Sequence, residues 1–197
     1  MADGERRTGL IARAGAILLR PRQTWAEIAT EPTSVRALFA GYVLPLCALN
    51  PICFTIGRLV FGERALGLIY RPPVLAAAIE AVASYLLALG AVYGLGLLIQ
   101  LLAPPFGGVR DRVSAFKLAA YSGTAGWLAS VFYLFPPIGG AAVAGVLYTL
   151  YLLYLGAEAL MRTDGRRTMG YVSLVVVSYV VLMMLAISLA KLAAALV

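Results

Sequence analysis

LAAYSGTAGWLASVFYLFPPIGGAAVAGVLYTLYLLYLGA, residues Leu118–Ala157, runs for forty residues without Asp, Glu, Lys or Arg, interrupted only by Pro136-Pro137-Ile138-Gly139-Gly140. A hydrocarbon core of about 30 Å is crossed by about 20 apolar helical residues. Forty with a Pro/Gly break near the middle therefore predict two crossings joined by a tight turn. Pro137 can open a helix, and the glycine pair lets the backbone reverse. Lipid offers no partner to a backbone N–H or C=O, so both halves must be helical. The rest of the chain is placed against this hairpin.

Composition supports that placement. The 197 residues are 62% apolar and 13% charged, with a mean hydropathy of +0.90, which is the range of membrane proteins. Sixteen basic against nine acidic residues give a net charge of +7. The basic residues cluster at the ends of apolar runs, which points to membrane orientation and away from nucleic acid. There is no histidine, and Cys47 and Cys53 are the only cysteines. Six residues apart on a helix, they point about 120° away from each other. They cannot face one metal, so neither metal nor cofactor is expected, and buried apolar thiols are the reading.

Residues 1–35 are read as a cytoplasmic amphipathic segment. Leu10, Ile11, Ala14, Ile17 and Leu18 fall on one helical face, with Arg6, Arg13 and Arg20 along one flank. That pattern predicts a helix lying in the interface with its arginines among the headgroups. The apolar run is broken by Arg13 and ends at Arg20-Pro21, too short for a secretory signal. Thr24-Trp25-Ala26-Glu27 resembles a capping-box start, with Trp25 as an interfacial anchor.

Residues 36–197 then form a five-helix transmembrane bundle, with crossings at about 37–60, 74–103, 115–135, 138–161 and 169–192. The first contains Pro45, Asn50 and Pro51 and must be kinked, with Asn50 turned toward protein. The second carries Gly90-Ala91-Val92-Tyr93-Gly94, a GxxxG spacing that lets another helix approach. Ser114 is placed as the cap of the third. With the N-terminus inside, twelve Lys and Arg residues fall on the cytoplasmic side and four on the other. The N-terminus is therefore expected in the cytoplasm and the C-terminus outside a bacterial-type plasma membrane.

Few groups in this chain could carry chemistry. Glu80 lies about 10 Å into the second crossing, and Glu158 sits near the cytoplasmic end of the fourth. They belong to opposite leaflets and form no acid/base pair. Ionisable groups at lipid depth pair with one another or line a path. Two ion pairs are expected, Glu80 with Arg58 or Lys191, and Glu158 with Lys117, which fix helix register or mark a proton or ion route. Without histidine or a Ser/Lys pair, no catalytic site is expected.

Ala119-Ala120-Tyr121-Ser122, then Trp127, Pro136, Gly139 and Tyr148-Thr149-Leu150-Tyr151-Leu152-Leu153-Tyr154-Leu155-Gly156 resemble the bacterial branch of the Yip family. So do Pro21-Arg22-Gln23-Thr24-Trp25 with Ile28, and Tyr42 with Pro45. The resemblance implies a cytoplasmic N-terminal segment followed by five transmembrane helices, and no catalysis. Eukaryotic members are named for binding Rab-type GTPases; their Asp-Leu-Tyr-Gly-Pro element has no counterpart here, and that partner is not carried over.

The expectation is a non-enzymatic membrane protein that organises lipid or protein partners. Arg6, Arg13, Arg20, Arg110, Arg112, Arg162, Arg166 and Arg167 would meet anionic headgroups. A membrane or cytoplasmic protein is the other partner class, and the Gly-rich faces allow a homo-oligomer. The alternative is a small channel or transporter with a polar path near Asn50 and Glu80.

Overall fold

The computed structural model describes residues 9–65 and 68–195, with side chains described outside 63–69 and 186–195. Apart from one short hairpin of strands, all regular structure is helical. Helices α1 (Leu10–Leu19) and α2 (Pro21–Thr30) form an N-terminal pair. A broken helical run follows: α3 (Val35–Leu38), a π-helical turn (Phe39–Val43), α4 (Leu44–Cys47) and α5 (Leu49–Phe61). Strands β1 (Glu63–Ala65) and β2 (Leu68–Tyr70) pair antiparallel after Gly62, whose φ of 75° turns the chain. Then come α6 (Val74–Leu102), α7 (Arg112–Ser122), α8 (Thr124–Ala129), α9 (Ala142–Met161) and α10 (Gly165–Ala195).

Among the described residues, four helical stretches are long and apolar enough to cross a membrane: Val35–Phe61, Val74–Leu102, Pro136–Met161 and Gly165–Leu185. The third crossing expected from the sequence, 115–135, is not one helix. It divides into α7, α8 and a 3-10 segment, Ser130–Leu134, with breaks after Ser122 and Ala129. Gly123 and three successive hydroxyls (Ser122, Thr124, Ser130) explain the breaks. The hydroxyls bond carbonyls three residues back, Ser122 to Ala119, Thr124 to Tyr121 and Ser130 to Trp127, competing with the α-helical ladder. Phe135 is extended, Pro136–Ala141 makes a 3-10 turn, and α9 returns against α8.

The helices in this hairpin touch almost backbone to backbone. A Cβ on Gly145 would lie 2.2 Å from Ala129 Cβ and 2.7 Å from the Ala125 carbonyl oxygen. On the neighbouring α5, a Cβ on Gly57 would meet the Tyr133 carbonyl oxygen at 2.0 Å. The GxxxG on α6 makes no such contact: nothing lies within 4 Å of a Cβ on Gly90, and Gly94 meets only a Leu182 side-chain carbon at 3.3 Å.

The prolines of the first stretch are absorbed as expected of a kink. The chain widens into a π turn just before Pro45, then breaks at Ala48 so that Pro51 falls in the first turn of α5, where no N–H is needed. The Leu44 carbonyl beside the break is satisfied from another helix, by the Tyr85 hydroxyl at 3.0 Å.

Exposure divides the molecule into two levels. On α6, large exposed apolar side chains run from Val74 to Tyr93, about 29 Å at the helical rise, and Leu101 is exposed again near the helix end. On α9 they run from Val143 to Tyr151, and on α5 to Phe61. Beyond Tyr151 the pattern changes. Leu152, Leu153, Leu155 to Ala157, Leu160 and Met161 are buried, as is every residue of α7 from Ala115 to Ala120. A helix buried on all sides is surrounded by protein; here α7 is enclosed mainly by α6 and α9, and this part of α9 is covered by α2. On α9 the apolar band thus ends in a protein-covered layer at the arginine-rich end of the bundle, while Leu101 on α6 and Met169 on α10 stay exposed there.

Candidate functional site

The polar contacts of this layer serve mainly to seat the N-terminal pair. Arg13, only 7% exposed, reaches across to α2, where its guanidinium pairs with Glu31 and, at 3.5 Å, with Glu27 Oε2. Lys117 is 5% exposed and donates to the Ile28 and Glu31 carbonyl oxygens at 2.7 and 2.6 Å. A cation there also meets the negative end of the α2 dipole. The Tyr148 hydroxyl donates to the Leu18 carbonyl oxygen at 2.7 Å, fixing the corner between α1 and α2 onto α9.

Trp25 fills the space between these clamps. It is 1% exposed and sits edge-on to Tyr121. A Cβ on Gly156 would meet its ring at 2.7 Å. The interfacial anchor expected of Trp25 is therefore a core residue, and its Nε1 has no hydrogen-bond partner among the described residues. Nor does Thr24 begin the helix. Pro21 does, since a first-turn residue needs no N–H, and the Thr24 hydroxyl donates back to the Arg20 carbonyl oxygen. Below Trp25, Tyr42 bonds Thr124 at 2.7 Å.

Several expected site residues sit elsewhere than the sequence placed them. Lys117 and Glu158 are not a pair: α2 occupies the place opposite Lys117, and Glu158 is exposed near Gly165. Arg13 does not meet headgroups, because two carboxylates of α2 turn it inward. Asn50 faces outward from the chain and makes no side-chain hydrogen bond among the described residues. At the end opposite the arginines, Arg58 Nη1 and Glu80 Oε2 come together at 2.6 Å, with Arg58 also over the Phe54 ring. The Glu80 side chain is 56% exposed. Lys191 and Arg6 lie outside the residues whose side chains are described.

Arg20, Arg110, Arg112, Arg162, Arg166 and Arg167 are exposed around the arginine-rich end. Arg112 donates to the Tyr93 hydroxyl at 2.9 Å and lies over Phe116. Asp111, not Ser114, caps α7, accepting from the Ser114 N–H at 2.7 Å. Hydrogen bonding from the Ser114 side chain first, and from its backbone N–H as well, holds the Asp111 carboxyl below the usual aspartate range. Arg162 ends α9 in the left-handed region, φ 53°, and the Val109 N–H takes the last carbonyl of that helix, Met161, at 2.9 Å.

Two recesses open on this surface. One, of about 400 Å³, is lined by Arg20, Pro21, Arg22, Gln23 and Tyr151. The other, an apolar groove of about 600 Å³ between α9 and α10, includes Tyr151, Tyr154, Val172, Ser173 and Val176. Tyr151 belongs to both. The sequence pointed to neither recess: Arg22 and Tyr151 entered it only within the family-resembling stretches Pro21–Trp25 and Tyr148–Gly156. Among the described residues no three His, Cys, Asp or Glu side chains gather as metal ligands.

The family model of the Yip1 domain matches residues 15–187 of the chain. No curated protein and no solved structure matches it.

Proposed function

The chain belongs to the Yip1-domain family, and on that premise we propose that it is a non-enzymatic membrane scaffold whose arginine-rich end engages anionic headgroups and partner proteins. The family is not known for catalysis. The reading takes the chain across the membrane five times, the broken segment Arg112–Leu134 serving as the third crossing. The N-terminal pair then lies on the cytoplasmic side of a bacterial-type plasma membrane and the C-terminus outside.

One observation carries this. Buried polar groups at the arginine-rich end tie α1 to α2 and that pair to the bundle, while Arg20, Arg22, Arg110, Arg112, Arg162, Arg166 and Arg167 remain exposed on the rim. A surface of that kind binds; it presents no converging acid, base or nucleophile to a substrate. On α9 the rim also lies just past the end of the exposed apolar band, which is headgroup level in a bilayer. The channel alternative has less behind it, since Asn50 and Glu80 both lie on exposed surface of the single chain.

The test is thermal unfolding of the full chain in nanodiscs of phosphatidylcholine alone and with phosphatidylglycerol added. The anionic lipid should raise the midpoint at low salt, and high salt should shrink the rise. Equal midpoints in both lipids overturn the headgroup reading. Ion flux through proteoliposomes that Glu80→Gln abolishes replaces it with the channel.

A further inference from the structure

The two recesses that meet at Tyr151 have complementary chemistry. Arg20 and Arg22 are exposed, and neither pairs with a carboxylate among the described residues. No acidic side chain lines their recess. Glu27 and Glu31, the carboxylates of α2, are held by Arg13 further along the helix. The guanidinium groups are not placed by chance: the Tyr148 hydroxyl ties the Leu18 carbonyl to α9, which sets the α1–α2 corner beside Tyr151. Across Tyr151 the groove wall is mostly apolar, its polar groups being the Ser173, Tyr151 and Tyr154 hydroxyls.

We propose that Arg20, Arg22 and Gln23, together with the α9–α10 groove that shares Tyr151, form a binding site for one anionic phospholipid. The phosphate diester lies between the guanidinium groups, where planar charged donors suit its paired oxygens. One acyl chain lies along the band side of the groove, against Tyr151, Val176 and Val177. The lipid is chosen over a peptide because the site adjoins the end of the apolar band, where Tyr93 and Tyr151 mark the boundary. An occupant at that height, charged at one end and apolar at the other, matches a lipid in every dimension on which the site is built. This rests on the headgroup-level placement of the arginine-rich end and deepens it, from a diffuse basic rim to a single site.

Native mass spectrometry tests it, on the full chain extracted from membranes containing equal phosphatidylglycerol and phosphatidylcholine. The wild-type chain should retain one phosphatidylglycerol in preference to phosphatidylcholine. Arg20→Gln with Arg22→Gln should lower that preference on the order of tenfold. Ser173→Trp, an exposed position on the groove wall, should lower retention of both lipids. Arg166→Gln with Arg167→Gln, equal in charge lost but outside both recesses, should lower the preference far less than the Arg20/Arg22 pair. If the Arg166/Arg167 pair reduces retention as much as the Arg20/Arg22 pair, the single site is wrong while the broader basic rim stands. If the wild type shows no preference, both fall. Retention indifferent to Ser173→Trp, or a protein dimer in place of the lipid adduct, also overturns the site.

Discussion

Lys117 and Asp111 sit on the same helix and do opposite electrostatic work. The lysine closes the carbonyl end of α2, and the aspartate closes the N–H end of α7, each at the terminus whose partial charge it complements. Removing the cap by Asp111→Ala should lower stability by about 1 kcal/mol, and Asp111→Asn should retain most of it. The pH dependence follows from the depressed carboxyl of the folded state. Its contribution is complete above the unfolded aspartate value, about 3.9, and is lost as pH falls through the lower folded value. Melting curves in micelles at neutral and acid pH read both effects: Asp111→Asn should melt nearly like wild type at neutral pH and lose less on acidification. At this scale the sequence was least readable. Folding the hairpin about Pro136 put Lys117 near Glu158, a deduction from two helices only. A third, α2, returns from nearly ninety positions away to take the lysine. Arg13 was misplaced for the same reason, since periodicity along α1 says nothing of Glu27 and Glu31 folding back onto it.

Among the elements, glycine spacing and glycine contact proved to be different things. The recognisable GxxxG on α6 has open space at Gly90, whereas the unremarked Gly145 on α9 lies against the α8 backbone. Gly145→Val should therefore cost upward of about 1–3 kcal/mol through overpacking. Gly90→Ala should be neutral or stabilising by up to about 1 kcal/mol, as a better helix former with room for its methyl. Unfolding midpoints of the two variants decide this, and a Gly90→Ala variant as damaged as Gly145→Val would mean that a second chain packs there. The hairpin itself was legible because charge-free length and a Pro/Gly turn are properties of the chain alone. The broken course of the third stretch was not, since it arises from hydroxyls bonding to their own helix backbone.

For the whole molecule, the membrane class and the kinked first stretch could be read directly, because lipid solvation imposes length and charge rules that composition obeys. What the sequence could not supply is the division into two levels. Apart from Glu158, Leu152 to Met161 is as apolar as Val143 to Tyr151, yet it is mostly buried where the latter is mostly exposed; burial under α2 is a tertiary fact. Five crossings require the two termini to lie in different compartments. A reporter active only in the cytoplasm should work fused to the N-terminus and fail at the C-terminus, and activity at both ends would reduce the count to four.

The exposed apolar band has a further consequence through its height. It stops at a layer stiffened by clamps, so the protein cannot take up a thicker bilayer by letting loose helix ends sink into it. Surrounding lipid must instead compress to fit, at a fraction of a kcal/mol for each ångström of excess. In a membrane of uneven thickness the protein would be drawn to the thinner regions, and its whereabouts would follow from geometry without any address signal being read.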